Sequence, residues 1–259
     1  MFRGVNGDIS FWYADIGGVP KLRPKLERDI EVDVCIVGGG FTGLWTAYYL
    51  KKARPEIGVA VLEREFAGFG ASGRNGGNMT GRFTWSRERY LGRSTPDRLA
   101  AMELALRNTV AEVIGVTREE GIDADIVHSG NLTIATNPAQ LERIKTIYEN
   151  ALSRRDVPAE EVELLSAYES DARVKLSQAV AAVRSTYSAR VQPAKLVRGI
   201  AAAAERAGAV IYEGTGVGRS AQAAAGRFAP TSSYGRPRPI RRSCPVLLGP
   251  WFRSAARSL

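Results

Sequence analysis

The amino-acid sequence predicts an α/β fold, a parallel-sheet domain with a second, α+β domain inserted into it. Three observations predict it. Residues 34 to 43 read Val34-Cys35-Ile36-Val37-Gly38-Gly39-Gly40-Phe41-Thr42-Gly43, an apolar strand running into a Gly-x-Gly-x-x-Gly turn. An apolar helix over 44–50 follows, then a second strand, Val59-Ala60-Val61-Leu62, closing on Glu63. Far downstream, Gln192-Pro193 opens a helix that Gly208 stops, and Ala209-Val210-Ile211-Tyr212 reads as a strand again. The first domain therefore resumes after a long interruption, and the interruption is the inserted domain.

The order strand, glycine turn, helix, strand, acid is what a Rossmann-like dinucleotide-binding unit requires. Gly38 allows the tight turn, Gly40 lets backbone approach a pyrophosphate with no Cβ in the way, and Gly43 lets the helix pack closely on the strand. The helix N-terminus offers unpaired N–H groups and a partial positive charge to phosphate. Glu63 is placed to accept hydrogen bonds from a ribose.

The other elements follow from local chemistry. Residues 1–30 read as an N-terminal arm, with Phe11-Trp12-Tyr13 able to dock on a core and Pro20 and Pro24 opposing regular structure. The βαβ unit covers about 31–63, and a glycine-rich loop, Ala67 to Asn78, comes next. Loops of that length inside a compact domain are usually functional. Thr95-Pro96-Asp97 starts a helix with Thr95 as N-cap and Pro96 at the first helical position. Leu99, Met102, Leu106, Val110 and Val113 recur at helical spacing and are expected to face the core. Residues 126–135 read as a hairpin or two short strands. Asn137-Pro138-Ala139-Gln140 begins a helix, with Asn137 and Gln140 at capping-box spacing. Residues 179–183 read as a strand.

Composition narrows the function classes. The chain has 259 residues, 44% hydrophobic and 24% charged, the balance of a globular protein. No apolar run approaches the roughly 20 residues that span a bilayer. Residues 1–8 lack the apolar core of a signal peptide, and two cysteines make no disulfide framework, so the cytoplasm is the expected compartment. The single His128 cannot form a histidine metal cluster, and no metal site is expected. The net charge is +9, but residues 217–259 hold eight arginines and no Lys, Asp or Glu, which leaves +1 for the rest. The body is nearly neutral.

Three segments together resemble the FAD-dependent amine and amino-acid oxidoreductases, the family of glycine oxidase, sarcosine oxidase and D-amino-acid oxidase. Members like γ-glutamylputrescine oxidase look most similar. The segments are Asp33 to Leu44 with Val61-Leu62-Glu63-Arg64; Gly70-Ala71-Ser72-Gly73-Arg74-Asn75-Gly76-Gly77; and Val191 through Gly214. The second is more specific than the first. The resemblance covers roughly 10–216. It implies a Rossmann-like FAD-binding domain over 31–95 and 190–216, with an incomplete α+β substrate domain over 96–189. It further implies that Gly38, Gly40 and Gly43, with Phe41 and Thr42, hold the FAD pyrophosphate and Glu63 the adenosine ribose. Arg64 would lie beside the adenine and Val217 would touch it through its backbone. Gly70, Ala71, Ser72, Asn75, Gly76 and Gly77 would run along the flavin ring.

The implied chemistry is transfer of a hydride equivalent from an amine-bearing carbon to flavin N5, followed by hydrolysis of the imine. Its partner is a small amine or amino acid, with no role for membrane or nucleic acid. No acid–base pair is demanded, and no catalytic side chain is visible. His128 reads as a satisfied hairpin residue. Arg74 either anchors an anionic group or orders its loop, and the sequence leaves both open.

After about residue 217 the text changes to Arg, Pro, Ser and Ala without periodicity. This tail reads as a disordered segment, as a basic interaction arm, or as the product of a frameshift. The third reading explains the arginine excess, the lost periodicity and the end of the resemblance together. Back-translating 229–236 with G or C in third positions and shifting the frame yields Ala-Asp-Val-Val-Val-Arg-Ala, an apolar strand. It implies a chain cut short, with partial FAD binding and no turnover. The rival reading is a non-catalytic remnant or nucleotide-binding module with a basic tail.

Overall fold

A computed structural model of the chain describes residues 9–83, 87–153 and 161–217. They divide into two compact units, one of 9–77, 117–125 and 192–217, the other of 78–116, 126–153 and 161–191. The tail, 218–259, lies outside the described residues.

The first unit begins with helix α1 (Phe11–Asp15). Strand β1 (Val34–Val37), helix α2 (Phe41–Ala53) and strand β2 (Val59–Leu62) then form the expected βαβ unit. β1 pairs in parallel with β2, Val34 opposite Val59 and Val37 opposite Leu62. On the far side of β2 runs β8 (Val210–Tyr212), also parallel, with Ala60 opposite Val210. β2 is therefore the central strand, and all four of its residues are buried. An uninterrupted apolar run is what a strand covered on both faces needs.

Helix α7 (Pro193–Arg206) leads into β8. Gln192 caps it by accepting from Lys195 N–H, Pro193 occupies the first turn, and Gly208 at φ +100° ends it. Its buried face, Leu196, Val197, Ile200, Ala201 and Ala204, packs along α2, where Leu44, Ala47 and Tyr48 are buried. The alanines on both helices let the backbones come close.

The second unit holds a ribbon of β3 (Asn78–Thr80) and β7 (Ser188–Arg190), and an antiparallel sheet in the order β4-β6-β5. These strands are β4 (Asn131–Ala135), β5 (Val162–Ser166) and β6 (Ala181–Ser185). The helices are α3 (Arg87–Leu91), the first part of α4 (Pro96–Glu119), α5 (Pro138–Leu152) and α6 (Ala167–Asp171). α5 packs on the sheet through Ile144 and Ala151, which cluster with Ala135, Val162, Ala181 and Val183.

Several expectations change. The chain leaves the first unit at residue 77, not 95, because 78–80 pair with 188–190. Residues 117–125 return to it, seated by Ile122, whose Cγ2 would stand 2.2 Å from a Cβ at Gly199. Met102 is half exposed, whereas Leu99 and Val110 are buried. The inward stripe of α4 runs through Glu103 and Arg107 instead, both buried. Residues 126–135 make no hairpin: Val127 bridges Arg190, and only 131–135 form a strand, paired with β6. Asn137 caps α5, but Gln140 reaches the N–H of Thr136 at 2.7 Å, one residue before the box position. A reciprocal capping box forms at Ser166 and Glu169.

Candidate cofactor site

The glycine turn between β1 and α2 is built from backbone. Gly38 sits at φ +102°, a conformation that L side chains resist, and a Cβ there would meet nothing within 4 Å. Space is therefore open in front of the turn. A Cβ at Gly43 would stand 2.1 Å from the carbonyl oxygen of Gly38, so this glycine is what lets helix and strand close up. Gly40 is the N-cap of α2 and provides no side-chain cap. First-turn N–H groups have no intrahelical acceptor; here the hydroxyl of Ser72 accepts from Phe41 N–H at 2.9 Å. A Cβ at Gly40 would lie 3.0 Å from that same hydroxyl oxygen.

Glu63, at the end of β2, turns its carboxylate back to this turn. Its Oε2 accepts from Gly39 N–H at 2.7 Å and its Oε1 from Glu65 N–H at 3.0 Å. A carboxylate has about four acceptor positions, so two remain for hydroxyl donors. Gly38–Gly43, Glu63 and Ser72 are thus brought together from three separate stretches of chain.

The other expected residues are placed as follows. Thr42 is exposed on the first turn of α2, and Phe41 is half-buried beside it. Arg64 is exposed and paired to Glu65 at 3.2 Å. Ala71 begins a single 3₁₀ turn, Ala71–Gly73, with Gly70 as its cap. A Cβ at Gly70 or at Gly76 would meet nothing within 4 Å, so both present open backbone. Asn75 closes its own loop: its Nδ2 donates to Ser72 O at 3.0 Å, and its Oδ1 accepts from Gly77 N–H at 3.0 Å. Gly77 has φ +72°. Val217 packs against Leu26, Cys35 and Leu62 under the sheet.

Arg74 orders the loop: its Nε donates to Phe69 O at 2.7 Å and its guanidinium lies 4.6 Å from the Phe69 ring. His128 lies within 2.8 Å of Thr186 O in the second unit, as a satisfied residue would. Two loop glycines serve packing. A Cβ at Gly68 would sit 2.3 Å from Val197 Cγ1, and one at Gly73 would sit 2.8 Å from the ring of Tyr13.

Beneath the loop lies a charged cluster that sequence reasoning missed. Glu213, fully buried, accepts at Oε1 from Ala67 N–H (2.9 Å), Arg23 Nη1 (3.0 Å) and Arg198 Nη1 (2.8 Å). Its Oε2 accepts from Arg23 N–H at 2.7 Å. Arg23 also forks onto Glu205 through Nε and Nη2 at 2.7 and 2.8 Å. The cluster joins the arm, the loop after β2 and α7. One signal was legible: β2 and β8 each end directly on a glutamate, Glu63 and Glu213.

A family profile described as FAD dependent oxidoreductase matches residues 33–255. The chain belongs to that family. The cofactor of the FAD-dependent oxidoreductases is FAD, and the open turn, the helix N-terminus and the acceptor Glu63 fit it. The match runs past residue 216, where resemblance seemed to end, and so takes in most of the arginine-rich tail.

A probable oxidoreductase, OrdL, of Rhizobium meliloti is 33% identical over 207 residues, covering 79% of this chain and 46% of its own length. The γ-glutamylputrescine oxidoreductase of Escherichia coli is 33% identical over 193 residues, 73% of this chain and 43% of its own. The glycine oxidase structure from Geobacillus kaustophilus aligns with TM-score 0.57 at 27% identity, over 76% of this chain and 50% of that one. The chain spans about half the length of the curated relatives it matches. No helix among the described residues is long and apolar enough to cross a membrane.

Proposed function

We propose that the α2 N-terminus, Glu63 and the 70–77 loop bind FAD, and that the chain is the cofactor-binding part of an enzyme oxidising a primary or secondary amine or an amino acid. One observation carries the reading: the glycine turn, the Glu63 carboxylate and the Ser72 hydroxyl meet at one helix N-terminus. Relatives named for γ-glutamylputrescine and for glycine point to the same substrate class.

Bound FAD supplies the hydride acceptor. The residues supply placement. Gly38 and Gly40 leave room for the pyrophosphate, and Gly43 lets the helix close on the strand behind it. The N–H of Thr42 with the helix dipole favours its charge, Phe41 N–H holding Ser72 in place. Ser72 has an O–H to donate toward a phosphate oxygen while it accepts from Phe41. Glu63 takes ribose hydroxyls on its remaining lone pairs. Arg64 and the backbone of Val217 flank the adenine, and Gly70, Ala71, Ser72, Asn75, Gly76 and Gly77 offer backbone along the ring. The substrate is a small molecule, and a buried thiol at Cys35 fits a reducing compartment, the cytoplasm.

The test is flavin retention. The purified chain is expected to carry FAD, read from its absorbance, and Gly40→Val to lose it. A valine there must push Ser72 aside and cover the helix end. Equal flavin content in chain and variant would refute the pyrophosphate assignment.

A further inference from the structure

The second unit contains a cavity of about 380 Å³, apart from the glycine turn and its loop. Its lining carries three guanidinium groups, Arg82, Arg87 and Arg107, together with the apolar side chains of Ile147 and Val183. Their placement follows from the backbone. A Cβ at Gly81 would lie 2.7 Å from Arg107 Cα, so only glycine lets this segment press on α4 and put Arg82 at the cavity. α4 in turn directs Glu103 and Arg107 inward, where an ordinary amphipathic helix would be apolar.

Among the described residues, the charges at this lining do not balance. Arg87 faces Glu103 at 3.4 Å and Arg107 faces Glu161 at 3.8 Å. Arg82, among the described residues, faces no carboxylate; it donates to Ser185 Oγ and lies 5.3 Å from the Tyr187 ring. The Nε of Arg87 is buried and is held by Glu103 as an ion pair without a hydrogen bond. Among the described residues, three guanidinium groups stand against two carboxylates, Glu103 and Glu161, beside apolar lining, which suits an anion with an apolar body. Guanidinium matches carboxylate geometry, whereas an inorganic oxyanion would leave the apolar lining wet.

We propose that this cavity binds a small organic carboxylate, its oxygens on Arg82 and Arg87 and its hydrocarbon against Ile147 and Val183. Hexanoate titrated calorimetrically into the 259-residue chain is expected to bind, and inorganic phosphate to bind more weakly. Arg82→Gln, which strands no carboxylate partner, should weaken hexanoate about tenfold or more. Ile147→Ala, at a position already half exposed, should leave the fold intact and weaken hexanoate about threefold to tenfold. The proposal is overturned if hexanoate gives no saturable heat, if phosphate binds as tightly, or if Ile147→Ala and Arg82→Gln bind hexanoate like the parent.

Discussion

Glu213 has no exposed side-chain surface, and four donors converge on its two oxygens. Burial alone would push its pKa up; the hydrogen bonds from Ala67 and Arg23 N–H and the charges of Arg198 and Arg23 outweigh that and hold it below the usual carboxylate range. A carboxyl whose folded pKa is depressed adds stability that is complete above the unfolded value and is lost as pH falls through the folded one. Glu213 therefore contributes to unfolding on the acid side. Glu213→Gln keeps the shape but removes the charge, leaving Arg23 and Arg198 facing one another. It is expected to cost about 3 kcal/mol at neutral pH and to flatten the dependence of stability on pH below about 4.3. Urea melts across pH 3 to 7 would check both effects, and an unchanged pH dependence would refute the assignment.

At the scale of elements, α1 is a five-residue helix, far too short to persist alone. Tertiary contacts hold it. Ser10 caps it through Tyr13 N–H, and Trp12 Nε1 donates to Asn75 O at 2.6 Å. Gln192 Nε2 donates to Trp12 O at 2.8 Å. Tyr13 is wholly buried under Gly68 and Gly73, its hydroxyl on Ala67 O at 3.3 Å, and burial pushes its pKa up to about 12. Tyr13→Ala is expected to cost about 3–5 kcal/mol, as truncation of a large buried aromatic does, and to loosen the 68–75 loop. Tyr13→Phe should lose only about 1 kcal/mol. Denaturant melts with limited proteolysis would measure both, and cleavage in the loop would rise only for the alanine variant.

The same contrast explains what the sequence revealed. β1, α2, β2, α7 and β8 were legible because each is a contiguous apolar pattern with its own stop signal: the glycine turn, Gln192-Pro193, Gly208. Docking by the arm was legible too, although Phe11 stays 63% exposed while Tyr13 carries the contact. β3, β5 and β7 were not legible. They are short, carry polar residues such as Glu163 and Arg190, and exist through pairing with distant segments. The error at Met102 has another cause, since the inward face of α4 is partly charged and a search for apolar period alone passes over it. Glu213 and its arginines escaped because a buried ion cluster looks, residue by residue, like solvated surface.

Across the whole molecule, β1 is the outermost strand on its side of the described sheet. Among the described residues β1 pairs with β2, and Val37, its last residue, is 57% exposed. The family profile reaches residue 255, so whether the tail contributes to stability is a question for experiment. If residues 218–259 add no packing, deleting them should leave stability within about 0.5 kcal/mol; a larger loss in a thermal melt would show that the tail packs.

Turnover needs more than the nucleotide turn. An amine must be held against the flavin with water excluded from the reacting carbon, which takes walls on the ring as well as a grip on the phosphates. The grip we propose draws chiefly on residues 38–77, with an open glycine turn, a helix end, an acceptor carboxylate and a hydroxyl. The chain matches only about half the length of relatives that carry the oxidoreductase name. We therefore expect the 259-residue chain to hold FAD partially and to show no amine-dependent bleaching of it under anaerobic conditions. A chain extended with the remaining family sequence should be bleached by a primary or secondary amine. Both are read at the flavin absorbance band during titration with the amine, oxygen excluded. Bleaching by the 259-residue chain itself would mean that these residues already enclose the reacting centre, and would overturn the division between grip and cover.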